Sequence, residues 1–310
     1  MIPGQIRDLQ LSEDHRQLDL DNPHVFPCSC YNVDVRLNVA QEVPWHWHEE
    51  VEAMTIVEGR GMVRVNTDTW LLETGDGMLI NSSALHSVQL IDGGACRLHS
   101  LVFSADLLAG TPGSVFEQRY LQPMLRSPTR ALPLFGNTPW QRQATDALEE
   151  AYHAFAEETF GWEFSVRAAL GRLWILAAEH AAPAGPVMEE NNDTRRLKEM
   201  LRCFHENYDR AISLEEVAAA ANVGKRECLR CFQRTIGITP IQYLLRYRIR
   251  QASRLLAQTD LPVTEVALRC GFESPSYFAQ AFRRLTGRTP RDYRRYFSDN
   301  PPANGEGEGG

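Results

Sequence analysis

The sequence has no long apolar run, no basic leader and few cysteines, and each absence excludes a class of protein. No stretch approaches the ~20 consecutive apolar residues that a membrane-spanning helix needs, and the longest, near residues 173–178, is short. The first fifteen residues lack the basic start and apolar core of a secretory signal. Seven cysteines scattered over 310 residues are too few for a disulfide framework. The composition predicts a cytoplasmic protein with reduced thiols and no membrane partner.

The formal net charge of −8 is the sum of two opposite parts. Residues 1–192 hold 12 Lys and Arg against 26 Asp and Glu, whereas residues 193–297 hold 20 against 11. A basic segment of about a hundred residues behind an acidic one indicates a separate nucleic-acid-binding domain, although a solvated, arginine-rich helical surface has the same charge. At roughly 150 residues per domain, the length also predicts two domains.

Short β-rich runs separated by turn signals fill the first half of the chain, and helices follow them. Closely spaced strands without intervening helices favour an antiparallel barrel or sandwich. Strands are predicted at 31–39, 51–57, 61–66, 69–72, 77–80 and 96–103, with a turn at 58–61. Apolar residues spaced three and four apart then predict helices at 115–125, 140–158 and 163–180.

The basic segment contains a tandem repeat. The tripeptide EVA at 216–218 recurs at 265–267, and the pattern F-x4-G-x-T-P-x2-Y at 232–243 recurs at 282–293. Each copy reads as a short helix, a tight turn and a second helix with a polar face, which is the helix-turn-helix pattern. Ser213 with Glu216 predicts a capping box, and Ser274 with Pro275 predicts another helix start. Helical periodicity assigns to the core Val217, Ala218, Leu229, Phe232, Ile249, Val266, Phe278 and Phe282.

The stretch GFESPSYFAQAFRRLTGRTPRDYR at residues 271–294 closely resembles the signature of the AraC/XylS family of transcription regulators. The resemblance covers about residues 212–295 and implies two recognition helices that enter successive major grooves of DNA. The chain departs from the family pattern at Gly224, where a Ser cap is usual, and at Cys228, where a larger apolar residue is usual. The first unit is therefore expected to be the less stable reader.

Matching the family's reading positions residue by residue implies base contacts at Arg226 and Arg230 in the first unit and at Ser276 and Gln280 in the second. These side chains suit base edges, because Arg pairs with guanine, Gln with adenine, and Ser with either. Glu227 suits a cytosine amine or a solvated helix face equally well. The residues expected to bind phosphates instead are Lys225, Arg234, Arg283 and Arg284.

The segment PWHWHEEVE at residues 44–52 is the most chemically suggestive part of the first half. On a strand, His46 and His48 point the same way, and Glu52 can join them after a bend. A second segment, from Gly75-Asp-Gly77 to His86, can supply a fourth ligand. Together they resemble the two cupin motifs, whose two His, one Glu and further His suit zinc, iron, nickel or manganese.

Three interpretations of His46, His48, Glu52 and His86 stay open: a transition-metal site, a metal-free pocket for a polar small-molecule effector, or satisfied interior groups. Trp45 and Trp47 alternate to the opposite face. They are expected to pack against the helices that follow the sheet.

We therefore expect a two-domain α+β chain: an antiparallel cupin-like β-barrel with helices, followed by an all-α tandem helix-turn-helix domain. The expected function is a ligand-responsive transcription regulator that binds double-stranded promoter DNA as a homodimer, and RNA polymerase if it activates. The alternative is a metal-dependent cupin enzyme, an oxygenase or isomerase, with an appended DNA-binding module. The predicted divisions are an arm at 1–21, the sensor at 22–110, a dimerisation region at 111–182, a linker at 183–193, the DNA-binding domain at 194–297 with units at 212–237 and 262–287, and a disordered tail at 298–310.

Overall fold

A computed structural model of the protein describes residues 26–181 and 192–299. The predicted two-domain α+β organisation is confirmed, because an antiparallel sheet with helices precedes a helical segment. The predicted arm, residues 183–191 of the predicted linker and residues 300–310 of the predicted tail lie outside the described residues. Within the described ranges, no helix is both long and apolar enough to cross a membrane.

Eight antiparallel strands form two leaves that share one long strand. The first leaf has the order β1-β7-β3-β5-β8, and in the second leaf β6 lies between β2 and β3, with β4 on the other side of β3. Among the described strands no ladder joins the edges of the two leaves, so the predicted closed barrel is wrong and the sheet is open. The strands are β1 Cys28–Asp34, β2 Glu42–His46, β3 Val51–Val65, β4 Asp68–Glu73, β5 Gly77–Ile80, β6 His86–Leu90, β7 Cys96–Phe103 and β8 Ala131–Leu134.

The turn predicted at residues 58–61 is a bend inside β3. The register between β3 and β7 shifts between Ile56 and Glu58, and Gly59 adopts a φ of +78°. A Cβ atom on Gly59 would lie 1.9 Å from the carbonyl oxygen of Ala95, so two backbones meet there. The glycine thus permits a close approach and a change of leaf rather than a chain reversal.

Two long helices cover the outer face of the first leaf. They are α3 (Pro139–Glu157) and α4 (Trp162–His180), preceded by α1 (Asp106–Ala109) and by a π-helical turn (Glu117–Leu121) that continues into α2 (Gln122–Leu125). The three predicted helices are confirmed within a few residues. Phe103 of the sheet packs with Leu148 and Trp174 of the helices in one core. The first leaf is therefore buried on both faces, which explains why the first six residues of β3 are all buried.

The DNA-binding domain consists of helices joined by short turns. They are α5 Asn192–Glu206, α6 Leu214–Ala220, α7 Lys225–Thr235, α8 Pro240–Gln258, α9 Val263–Arg269, α10 Pro275–Thr286 and α11 Pro290–Asp299. Both parts of the predicted capping box at Ser213 and Glu216 are present, and Ser274 caps α10. Seven of the eight predicted core residues are buried, but Leu229 is 43% exposed because it lies on the outward face of α7.

The sensor and the DNA-binding domain share hydrophobic clusters. Trp45 and Leu85 of the sensor lie in one cluster with residues of α5 to α8, and Trp47 packs against it. Both tryptophans thus pack against helices, as expected, but these helices belong to the DNA-binding domain and not to the sensor. Val39 of the sensor joins the second cluster, which is built from α8 to α11. Each helix-turn-helix unit is thus in contact with the sensor.

We expect Gly59→Ala to lower the free energy of unfolding by about 3 kcal/mol, because the methyl group meets the Ala95 carbonyl and φ is unfavourable for alanine. Gly75→Ala is the matched control. Gly75 also has a positive φ, of +94°, but among the described residues nothing beyond its chain neighbours lies within 4 Å of its Cβ position. This control should lose only about 1–2 kcal/mol. Urea unfolding of both variants measures the difference, and equal losses would contradict the close approach.

Candidate effector site and DNA-binding face

The four predicted sensor residues form one buried cluster, referred to below as the quartet. His46 ends β2 and pairs with His86, the first residue of β6, and Glu52 lies near the start of β3. His48 lies two residues beyond β2 and still faces the other three. One ligand atom from each of the four side chains lies within 4.8 Å of the others. The structure therefore brings together the set that the sequence pattern selected.

Backbone carbonyls orient all three imidazoles. The Nδ1 atoms of His46, His48 and His86 lie 2.8, 3.1 and 2.8 Å from the carbonyl oxygens of Pro44, Glu50 and Ala84. A carbonyl only accepts a hydrogen bond, so each Nδ1 carries a proton and donates it. Nε2 is left on every ring as the atom available to a ligand. This outer-shell support is the arrangement that orients metal-binding histidines.

Glu52 receives hydrogen-bonding atoms from three sides. Its Oε2 lies 2.8 Å from Nε2 of His86 and 3.3 Å from Nε2 of His48, and Ser100 donates to its Oε1 at 2.7 Å. With Nδ1 protonated, a neutral ring presents a lone pair to this carboxylate. The Nε2 lone pairs and the Glu52 oxygens are then all acceptors that face one another. Positive charge between them, either as protons on the rings or as a metal ion, would satisfy them.

Burial and neighbouring groups shift the pKa values of two quartet residues, His46 and Glu52. Burial lowers the pKa of His46 well below its ordinary value, and the nearby His86 lowers it further. Burial alone would raise the pKa of Glu52, but the neighbouring imidazoles of His86 and His48 outweigh it and hold that pKa well below its ordinary value. Glu52 is thus a carboxylate and His46 a neutral ligand, which are the forms that bind metal ions.

The space beside the quartet is small. Its volume is about 10 Å³, and His46, Glu52 and His86 line it together with apolar side chains such as Met54 and Val88. A single water molecule needs about 10–15 Å³ by this measure. The space between these side chains is therefore close in size to one ion or one water molecule.

The predicted DNA-contacting residues lie on the exposed sides of two recognition helices. Arg226 and Arg230 are exposed one turn apart on α7, and Ser276 and Gln280 are exposed one turn apart on α10. Side chains four apart share a helix face, so each helix presents a pair to one groove. The predicted phosphate contacts Lys225, Arg234, Arg283 and Arg284 are exposed as well.

Ion pairs engage the basic residues of the first unit. Glu227 pairs with Arg230 and lies 3.3 Å from Arg234, which also binds Asp193 of α5 at 2.6 Å. Lys225 pairs with Glu215. In the described chain Arg283 and Arg284 of the second unit have no such acidic partner. Sequence reasoning missed Asp193, because nothing in its local sequence marks it.

Two further residues of the site were not predicted. Ser100 supports Glu52 from β7, and Glu42 lies between two arginines of α8, at 2.5 Å from Arg246 and 3.8 Å from Arg250. Ser100 follows no motif, so only the strand pairing places it. Glu42 comes two residues before the motif at 44–52, and its role depends on a contact 204 residues away in the chain.

Known proteins match both halves of the chain. A family profile described as "AraC-like ligand binding domain" matches residues 38–174, and one described as "Helix-turn-helix domain" matches residues 217–296. The chain is 29% identical over 294 residues to the uncharacterised HTH-type transcriptional regulator YdeC of Bacillus subtilis (strain 168). The aligned residues are 93% of this chain and 97% of YdeC.

A second relative is the HTH-type transcriptional activator RhaS of Klebsiella pneumoniae (strain 342), 27% identical over 259 residues, which are 81% of this chain and 87% of RhaS. Among solved structures, ToxT from Vibrio cholerae O395 is 12% identical with a TM-score of 0.44, covering 87% of this chain and 94% of that one.

Proposed function

The chain belongs to the AraC/XylS family of DNA-binding transcription regulators, and we propose that its effector is a transition-metal ion held by the quartet. One observation carries this proposal: three oriented imidazoles and a buried carboxylate place one ligand atom each within 4.8 Å of one another. Imidazole nitrogens and a carboxylate at this spacing can hold one ion together. Of the three interpretations left open by the sequence, the metal site is therefore favoured over the metal-free pocket.

The donor set fits the ion by its chemistry. Imidazole nitrogens and a carboxylate suit zinc, iron, nickel or manganese. The quartet atoms lie within 4.8 Å of one another, little more than the ~4 Å that separates opposite ligand atoms on an ion with bonds of ~2.0–2.1 Å. Glu50 adds a second buried carboxylate, whose Oε2 lies 3.9 Å from Nδ1 of His48 and has no hydrogen-bond partner in the described chain. A bound ion would supply the positive charge and the fixed bond lengths that hold these side chains together.

The alternative function, a metal-dependent enzyme with an appended DNA-binding module, needs room for a substrate beside the ion. The small space beside the quartet favours the regulator over this alternative. YdeC and RhaS are both named as transcriptional regulators or activators, which also supports the regulator.

Base reading is assigned to Arg226, Arg230, Ser276 and Gln280, and phosphate binding to Lys225, Arg234, Arg283 and Arg284. Their exposure on two recognition helices supports both assignments.

Because promoter DNA is the partner, the cytoplasm is the proposed location. RhaS is named an activator, and RNA polymerase is a further proposed partner if this chain also activates transcription.

A second copy of the chain is the proposed partner for the outer face of α4. Phe164 is 77% and Ile175 39% exposed on this face, and Phe116 lies beside them. Clefts of about 540 and 700 Å³ flank the helix and share Gly171 and Ile175. Exposed apolar ridges beside grooves are typical of a self-complementary twofold interface.

We expect Arg230→Ala to cost about 1–3 kcal/mol of binding free energy at one base position, since a bidentate contact is lost. Arg283→Ala should instead weaken all sequences alike and lower the salt slope by about one. Binding to a selected duplex, its single-base variants and random DNA separates the two cases. Equal losses for Arg230→Ala on selected and random DNA would refute its base-reading role.

Purified full-length protein should bind about one Zn²⁺ per chain, measured by equilibrium dialysis. His86→Ala should weaken this binding by more than about a hundredfold, and Ser100→Ala by about 10–100-fold, the usual effect of an outer-shell partner. His153→Ala, an exposed histidine outside the quartet, is the control and should leave the affinity unchanged. A wild-type protein that binds no stoichiometric zinc, iron, nickel or manganese would overturn the metal proposal.

Ile175→Glu should convert a dimer into a monomer, because a carboxylate would be buried in the apolar interface. Sedimentation equilibrium measures the dissociation constant. Leu71→Glu, at a similarly exposed leucine on β4, serves as the matched control and should remain dimeric. A monomeric wild-type protein at micromolar concentration would contradict the proposed interface.

A further inference from the structure

The segments that carry the quartet histidines also dock onto the DNA-binding domain. Along residues 45–48 the side chains alternate: His46 and His48 face the quartet, whereas Trp45 and Trp47 pack on the cluster of α5 to α8. His86 directly follows Leu85, which is fully buried in the same cluster. Each ligand segment thus has one face toward the quartet and the other toward the DNA-binding domain.

Polar contacts tie the same two segments to one helix of the DNA-binding domain. Nζ of Lys198 on α5 donates to the carbonyl oxygen of Ser83 at 2.7 Å and lies 5.4 Å from the centre of the Trp47 ring. Lys198 therefore bridges the segment before His86 and the segment between His46 and His48. Its position depends on how these two segments lie relative to each other.

The second helix-turn-helix unit is attached to the sensor through residues 39–42. Val39 and Ala40 pack in the cluster of α8 to α11, and Glu42 pairs with Arg246 and Arg250 of α8. Ala40 and Gln41 both have left-handed φ values, of 58° and 53°. Such strain in two consecutive non-glycine residues persists only where surrounding contacts maintain it. Contacts with the cluster of α8 to α11 therefore hold residues 39–42 in this conformation.

We infer that an ion in the quartet fixes residues 45–48 and 83–86 against each other, keeps the DNA-binding domain docked through Trp45, Trp47 and Leu85, and thereby raises its affinity for DNA. The inference rests on the proposed metal site. Docking leaves Arg226, Arg230, Ser276 and Gln280 exposed, so it does not block the groove contacts. Docking holds both helix-turn-helix units against the sensor. Less conformational entropy is then lost when both recognition helices bind DNA.

The test uses full-length protein and a duplex selected from a random pool in the presence of Zn²⁺. Zn²⁺ should tighten DNA binding at least about fivefold relative to chelator, and by reciprocity DNA should tighten Zn²⁺ binding by the same factor. Trp47→Ala and Lys198→Met should keep the Zn²⁺ affinity within about twofold in the absence of DNA while losing most of the effect of Zn²⁺ on DNA binding. These positions are chosen because Trp45→Ala, which opens a large cavity, risks unfolding.

Trp140→Ala, a partly buried tryptophan on the sensor helices, is the matched control and should retain the full effect of Zn²⁺. A wild-type protein that binds Zn²⁺ but shows unchanged or weakened DNA binding overturns the inference and leaves the metal site standing. Docking variants that keep the full effect also overturn it. A wild-type protein that binds none of the four metals removes the proposed site and the inference together.

Discussion

A carboxylate buried under three imidazoles is the constraint on which the sensor depends. An unpaired buried charge is costly, so every oxygen of Glu52 needs a partner. Those partners come from the loop after β2, from β6 and from β7, and the three strands must therefore lie in one register around the start of β3. The same register places the carbonyls that orient the imidazoles. The site is in this sense a consequence of strand pairing.

The strand period of two extends this constraint to the rest of the chain. A residue that points into the quartet has neighbours that point out, and on residues 45–48 the outward neighbours are tryptophans packed against the DNA-binding domain. No separate linker contact is needed to connect the two functions. The residues that complete the sensor site and those that hold the DNA-binding domain are adjacent in sequence.

Features determined by local chemistry could be predicted from the sequence. These features depend on short spacings that can be read directly in the sequence. They are the capping box at Ser213, the cap at Ser274 and the convergence of the four quartet residues. Features that depend on distant segments could not. In the sequence Gly59 looks like a turn residue, because its close contact with Ala95 cannot be seen there. The sequence likewise does not show that Trp45 packs against α5. The open sheet likewise could not be predicted, because the pairing of its edge strands depends on segments far apart in the chain.

The ion pairs on α7 also affect how the two reading units can diverge. Glu227 contacts both Arg230 and Arg234, so a substitution at this one position alters a proposed base contact and a proposed phosphate contact together. In the second unit, Ser276 and Gln280 lie on α10 with no such shared partner in the described chain. Under the proposed assignments, sequence preference and overall affinity are therefore coupled in the first unit and separable in the second. Under the same assignments, an exchange at Ser276 or Gln280 alters one proposed base contact and leaves the proposed phosphate contacts of Arg283 and Arg284 in place.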